Sequence, residues 1–299
     1  ENASASGSTA FRQACMEVAA GYTDVALAMG VDTVDTWRLG PAKAAVRGLA
    51  DDLNAPFTSF ALITDKYMRE TGATAEQVAL VSVKNHKNGS HNPYAQRPRA
   101  YTLEEVLAPP VISGVLTKLQ CTPVGEGAAA VIVMSEEGME RHGIDRSRAI
   151  QVIASAARSE ELSGVLNFDV ALTQKTVRDA YAQCGVEPSA IDVVELHDAF
   201  TVEELLYAEA MGFSAPGCAV KDLEAGAFDI GGRVAISPSG GLIAMGHPLG
   251  PTGVGQVAEI TRQLRGEAGP RQHAGARTGL AHMVGVGPVC IVHILRRPD

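Results

Sequence analysis

The chain has 299 residues, 46% of them hydrophobic and only 5% aromatic, which is enough for a large buried core and more than one domain. A formal charge of −9 and a pI near 5.4 argue against nonspecific nucleic-acid binding and an anionic membrane surface, and no apolar run approaches the roughly 20 residues of a membrane span. The five cysteines are widely spaced, odd in number and free of any C-x-x-C, so the expectation is a reducing, cytoplasmic setting with neither disulfide framework nor metal site.

From the N-terminus, Glu1-Asn2-Ala3-Ser4 leads directly into a helix predicted over 4–20, with Ser4, Ser6 and Ser8 as cap-type residues at its start. There is no initiator Met and no signal peptide pattern, so the chain is expected to open inside a domain. A strand of small apolar residues follows over 23–29. Residues 36–118 change character: helical stretches near 58–70 and 75–85 precede a polar loop over 88–99 that contains Pro93 and Pro98. This segment reads as an inserted loop or lid domain. A buried pattern returns over 125–134, then a short helix over 136–142.

Residues 148–299 read as a second half. It opens on a strand over 150–157 and continues with a helix over 174–184. A short strand over 193–196 runs into His197, and a helix over 201–211 carries acidic residues in its first turns, as the helix dipole favours. A helix over 251–265 and two strands, 278–284 and 289–295, close the chain. Gly285-Val286-Gly287-Pro288 joins those strands. Strands alternating with helices predict α/β layers with covered sheets.

Four segments carry chemistry. The first, over 237–255, reads S-P-S-G-G-L-I-A-M-G-H-P-L-G-P-T-G-V-G. Its His247 lies between Gly246 and Pro248, where a turn leaves a histidine little cover, which suits a general base; the alternative is a Gly/Pro turn with an incidental histidine. The others are K-N-H-K-N-G-S-H-N-P-Y over 84–94, Q-C-T-P-V-G-E-G-A-A-A over 120–130 and E-L-H-D-A-F over 195–200. Together with the terminal glycine turn, they resemble the sterol-carrier-protein type of thiolase along essentially the whole chain.

That resemblance implies a thiolase fold: two β-α-β-α-β-α-β-β halves in five layers with an inserted loop domain. The first strands and helices of the N-terminal half would lie before Glu1. Residues 1–35 and 119–147 would be the remainder of the N-terminal half, 36–118 the loop domain and 148–299 the C-terminal half. It also implies a coenzyme A thioester as substrate, no tightly bound cofactor, a homodimer or homotetramer, and work in lipid or steroid degradation.

The resemblance places the nucleophile at Ser4, where the family carries a cysteine. A helix N-terminus stabilises a thiolate but does far less for a serine hydroxyl. Ser4 is thus a poor nucleophile, a hydrogen-bond donor to substrate, or a helix cap. His247 would be the activating base. His197 would contribute to an oxyanion hole, or is a strand-end histidine satisfied by backbone. The acid/base cysteine that follows it in the family is Ala199 here, and the alternative family position, near Met283, holds no thiol either. Cys290 reads as a packed core residue. Gly285 and Gly287 would aim backbone N–H groups at the thioester oxygen, or form an ordinary turn. Ser239 and Gly240 on the catalytic loop and His86 on the loop domain are substrate-loop candidates, although His86 and His91 read first as solvated loop histidines; Tyr94 and Tyr101 read as lid residues.

Three functions remain open on this reading. One is a thiolase-like acyltransferase with both cysteines replaced. Another is a retro-aldol lyase on a β-hydroxyacyl-CoA, paired with a small zinc-ribbon/OB-fold partner subunit. The third is a non-catalytic acyl-CoA or lipid-binding protein. Known thiolase-like aldolases rely on active-site tyrosines, and neither H-D-A-F nor G-H-P-L-G contains one.

Overall fold

The computed structural model describes residues 1–33, 55–123, 125–160, 168–285 and 289–298. Trp37 and Gly287 lie outside the described residues. The N-terminal part begins with a single 3-10 turn at Ala3–Ala5, then helix α1 (Ser6–Ala19) and strand β1 (Val25–Asp32). Strand β4 (Gly127–Met134) pairs antiparallel with β1, from Val25 opposite Met134 to Asp32 opposite Gly127. Alternation sorts this ribbon's side chains. Ala26, Ala28, Val131 and Val133 face a core with Phe11, Ala14, Val257 and Ile260, whereas Leu27, Met29, Val31 and Ile132 stay exposed on the other face.

Beneath the ribbon, α1 packs against α10 (Thr252–Arg265). Glycines permit the close approach. A Cβ on Gly253 would sit 2.7 Å from the Ser8 backbone nitrogen, and one on Gly7 3.1 Å from Val254 Cγ2. Gly253→Ala is therefore expected to destabilise the protein by about 1–3 kcal/mol through overpacking. An unchanged denaturation midpoint would show that the two helices separate at no cost.

The next layer is a five-stranded sheet in the order β5-β9-β8-β6-β7: β5 (Gln151–Ser159), β9 (Val289–Arg296), β8 (Thr278–Gly285), β6 (Val193–Glu195) and β7 (Ala235–Ile236). Strands β7, β6 and β8 run parallel, and β9 is antiparallel to both β8 and β5. Helices α6 (Phe168–Cys184) and α7 (Thr201–Ala210) cover the far face, their side chains joining Val194, Leu280 and Val292 in the largest core cluster. Four layers are thus present among the described residues.

In the intervening segment, α2 (Ala55–Thr71) and α3 (Ala75–Gly89) are followed by α4 (Leu103–Leu107) and a small hairpin of β2 (Val111–Ser113) and β3 (Leu116–Thr117). Capping boxes start α3 and α4: Thr74 with Gln77 and Thr102 with Glu105. The polar stretch over 88–99 differs from its expected form. Helix α3 runs on to Gly89, and Asn88 and Asn92 are buried, donating to Ser237 O (3.2 Å) and Ser239 O (2.8 Å). The stretch reads as a polar loop because the carbonyls that match these asparagines lie far away in sequence.

Candidate active site

The C-terminal ends of β6, β7 and β8 point the same way, so the segments that follow them meet at one edge of the sheet. Such an edge is where open α/β sheets bind ligands. Strand β6 delivers His197. Strand β7 leads through Ser237 to a short helix, α9 (Gly241–Ala244), and then to His247. Strand β8 ends on Gly285.

The turn before His247 depends on Gly246, whose φ of 111° is open to glycine and whose Cβ would lie 2.7 Å from Gln96 Oε1. After the turn, α10 begins and presents Thr252, whose Oγ1 lies 2.9 Å from His247 Nδ1. The opposite ring nitrogen, Nε2, lies 3.1 Å from Ser4 Oγ. With Nδ1–H donated to Thr252, Nε2 is left to accept the serine proton, the tautomer a general base needs. Burial, and then the neighbouring His197, hold His247 well below the ordinary histidine range, so the ring is neutral at physiological pH.

Ser4 does not cap α1. The N-cap residue is Ala5, without any side-chain cap bond, and the serine hydroxyl turns to His247 instead. Ala3, just before it, has a φ of 48°, a strained setting for a residue with a Cβ. Gly285 packs on this turn: its Cβ would lie 3.1 Å from that of Ala5. A side chain there would displace Ser4.

His197 stands beside His247, the ring centroids 5.2 Å apart at 85°. Its Nδ1 lies 2.9 Å from Glu203 Oε1, in the first turn of α7. The backbone N–H of His197 donates to His282 Nδ1 at 3.4 Å, and His282 Nε2 lies 2.9 Å from Thr173 Oγ1. Burial, and then the neighbouring His197, lower both His247 and His282, so these two rings are neutral at physiological pH.

The structure brings Ser4, His197, His247 and Gly285 together. Ser239 and Gly240 serve the loop instead of facing outward. Ser239 gives its N–H and hydroxyl to Glu195 at 2.9 and 2.7 Å, inside the fold, where burial and then Glu259 push Glu195 up to about 8. Gly240, with φ 105°, lets α3 pass, since its Cβ would lie 2.6 Å from Gly89 Cα. His86 is a fully buried helix residue, against the solvated-loop expectation. Its Nδ1 lies 2.9 Å from Ser82 O and its ring 4.9 Å from that of Tyr101, and burial lowers it to about 4. It has no bond or ring contact with the histidine pair.

Sequence reasoning missed Thr252, Glu203 and His282. Thr252 could have been suspected as a hydroxyl five residues after the histidine. Glu203 was hidden because an acidic residue in a first helical turn is already explained by the dipole. No thiol contacts Ser4, His197 or His247 among the described residues; Cys290 Sγ lies 3.9 Å from Thr173 Oγ1, behind His282, and burial pushes both Cys121 and Cys290 up to about 12. Among the described residues no group of His, Cys, Asp or Glu is arranged to hold a metal ion, and no helix is long and apolar enough to cross a membrane.

With this geometry the chain can be set beside known proteins. Residues 154–297 match the family described as thiolase C-terminal domain-like. The chain is 39% identical to an acetyl-CoA acetyltransferase of Methanothermobacter thermautotrophicus, over 99% of this chain and 79% of that one. It is 36% identical to rat sterol carrier protein 2, again over 99% of this chain but only 57% of the rat protein. A solved structure titled Ltp2-ChsH2(DUF35) aldolase superposes with a TM-score of 0.83 at 26% identity, covering 99% of this chain and 78% of that one. An α/β chain with these motif loops at one sheet edge, matched over most of an acetyltransferase, belongs to the thiolase family.

Proposed function

We propose that the site acts on coenzyme A thioesters and breaks a carbon–carbon bond next to the thioester by retro-aldol cleavage of a β-hydroxyacyl-CoA. The single observation that carries this reading is the Ser4–His247–His197 cluster, which holds a neutral base and a hydrogen-bonding histidine but no thiol. His247 Nε2 takes the β-hydroxyl proton. The Cα–Cβ bond then breaks, releasing an aldehyde or ketone, and its electrons move onto the thioester carbonyl. His197 and the Gly285 amide hold the resulting enolate oxygen. Protonation of Cα by the His247 imidazolium returns the proton and completes the acyl-CoA product. Ser4 is a hydrogen-bond donor on this route. No step attacks the thioester carbon.

The aldolase likeness also motivates a partner of the zinc-ribbon/OB-fold kind, with the chain itself forming a homodimer or homotetramer in the cytoplasm. The acyltransferase reading has its own support in the 3.1 Å Ser4–His247 contact and in the name of the archaeal relative. A serine opposed by a histidine that is itself backed by a threonine has no carboxylate to stabilise the imidazolium. Thiolysis of a 3-ketoacyl-CoA is therefore expected to be slower than in a two-cysteine enzyme by at least about 10². The test incubates the protein with a β-hydroxyacyl-CoA, with and without a candidate partner subunit, and follows aldehyde or ketone release. Rapid thiolysis with an acyl group trapped on Ser4 would replace this reading with acyl transfer. Tight acyl-CoA binding without turnover would leave a binding protein.

A further inference from the structure

Behind His197 lies a chain of buried groups that the motifs do not contain. Glu203 Oε1 is 2.9 Å from His197 Nδ1 and 3.1 Å from the Tyr207 hydroxyl, one helical turn further along α7. The other carboxylate oxygen accepts the Phe200 N–H at 2.9 Å. The same Tyr207 hydroxyl lies 2.7 Å from Asp169 Oδ2, in the first turn of α6. Tyr207 and Glu203 are 0% and 1% exposed, and Asp169 7%, so these contacts are shielded from bulk solvent.

A proton count follows from these distances. Three contacts link Asp169, Tyr207, Glu203 and His197, and each needs a proton. The phenol supplies one and the imidazole Nδ1 a second. The third contact is a phenol oxygen against a carboxylate oxygen with no proton of its own unless one of the two carboxyls carries it. Burial raises the Glu203 carboxyl, with His197 pulling it back, which is consistent with a proton held within the group. His197 Nε2 makes no hydrogen bond among the described residues, so this is the ring edge left for a ligand.

We propose that Asp169, Tyr207 and Glu203 form a proton-sharing chain that sets the tautomer and charge with which His197 presents Nε2 to the substrate oxygen. The proposal rests on the enolate-holding role assigned to His197. To hold an enolate oxygen, Nε2 must carry hydrogen. If Nδ1–H is also to stay on Glu203, the ring is an imidazolium balanced by one carboxylate; if the ring is neutral, Glu203 carries the proton instead. These two forms contain the same number of protons and differ by one transfer along the 2.9 Å contact. A chain with one carboxyl already neutralised leaves a single negative charge behind the ring instead of two. Tyr207 and Asp169 are thus positioning residues, acting through Glu203.

The test uses the full chain, labelled with nitrogen-15 in histidine, without substrate. His197→Asn identifies the ring signals of His197. Tyr207→Phe keeps the ring that packs 4.8 Å from His282 but removes the hydroxyl, and Asp169→Asn removes the far carboxyl. Both variants are expected to change which ring nitrogen of His197 reports a bound proton, while the signals of His142 and His273 stay in place. Unchanged His197 signals in both folded variants would overturn the chain, whatever happens to thermal stability. If Tyr207→Phe fails to fold, Asp169→Asn decides alone. In turnover, Tyr207→Phe should cost roughly tenfold, below the 10²–10³ that loss of a whole oxyanion donor costs. Changed ring signals together with no cleavage of any β-hydroxyacyl-CoA would uphold the chain and reject the retro-aldol reading.

Discussion

His247→Ala is expected to abolish β-hydroxyacyl-CoA cleavage, with a loss of about 10²–10⁴-fold, while Ser4→Ala retains most of the wild-type rate. The difference follows from the order of events. Retro-aldol cleavage begins with removal of the hydroxyl proton, and His247 Nε2 is the neutral acceptor at the site, kept neutral by burial and by His197. Thr252 holds the tautomer through Nδ1 at 2.9 Å. Ser4 shares Nε2 at 3.1 Å but contributes no atom to the bond that breaks. An acyl-enzyme route makes the opposite demand, because the residue at position 4 would then form the covalent bond. Initial rates of carbonyl release for the two variants, compared at saturating substrate, separate the routes. Equal loss on both substitutions would reject retro-aldol cleavage.

Lys84→Ala is expected to cost about 3–5 kcal/mol of stability, the range for removing one partner of a buried ion pair. Lys84 Nζ lies 3.1 Å from Glu204 Oε1, with side chains 4% and 0% exposed, and also donates to Asn85 Oδ1 and Ile236 O at 2.7 Å. Asn85 carries the network on to Asp198, which accepts from Ser237 and from the Leu242 N–H. The pair thus braces the loop of His197 against the loop of His247. Burial raises the Glu204 carboxyl and Lys84 opposes that rise. Without the lysine, the folded-state value climbs further above the unfolded one. A carboxyl raised in this way contributes stability that is fully present below its unfolded value and is lost as pH rises through the folded one. The deficit of Lys84→Ala relative to wild type should accordingly be smallest in the ordinary carboxylate range and grow towards neutral pH. Denaturant unfolding at both conditions checks this, and Lys84→Met combined with Glu204→Gln should recover most of the loss. A deficit independent of pH would assign the penalty to lost packing of the lysine stem.

Much of this protein was legible without coordinates. The helices over 201–211 and 251–265 and the two closing strands appear within a residue or two of their predicted bounds, because apolar periodicity and glycine turns are local signals. The resemblance of the motif segments to thiolase loops marked His197, His247, Ser4 and Gly285 as candidates for one site. Cys290, read as a core residue from its strand position, is fully buried. What only the tertiary structure decided is where polar side chains find their partners. Ser4 looked like a helix cap because a serine before a helix normally bonds its own backbone; its hydroxyl instead meets a histidine 243 residues away. His86 looked solvated and the stretch from Asn88 looked like a polar loop, yet His86, Asn88 and Asn92 lie inside, the two asparagines bonded to the segment that leads to His247. Glu203, Tyr207 and Asp169 carry no motif at all. A hydrogen bond is directional and short, so a sequence states which donors and acceptors exist, and only the packing of α6 and α7 on the sheet determines which of them lie within 3 Å or so of one another.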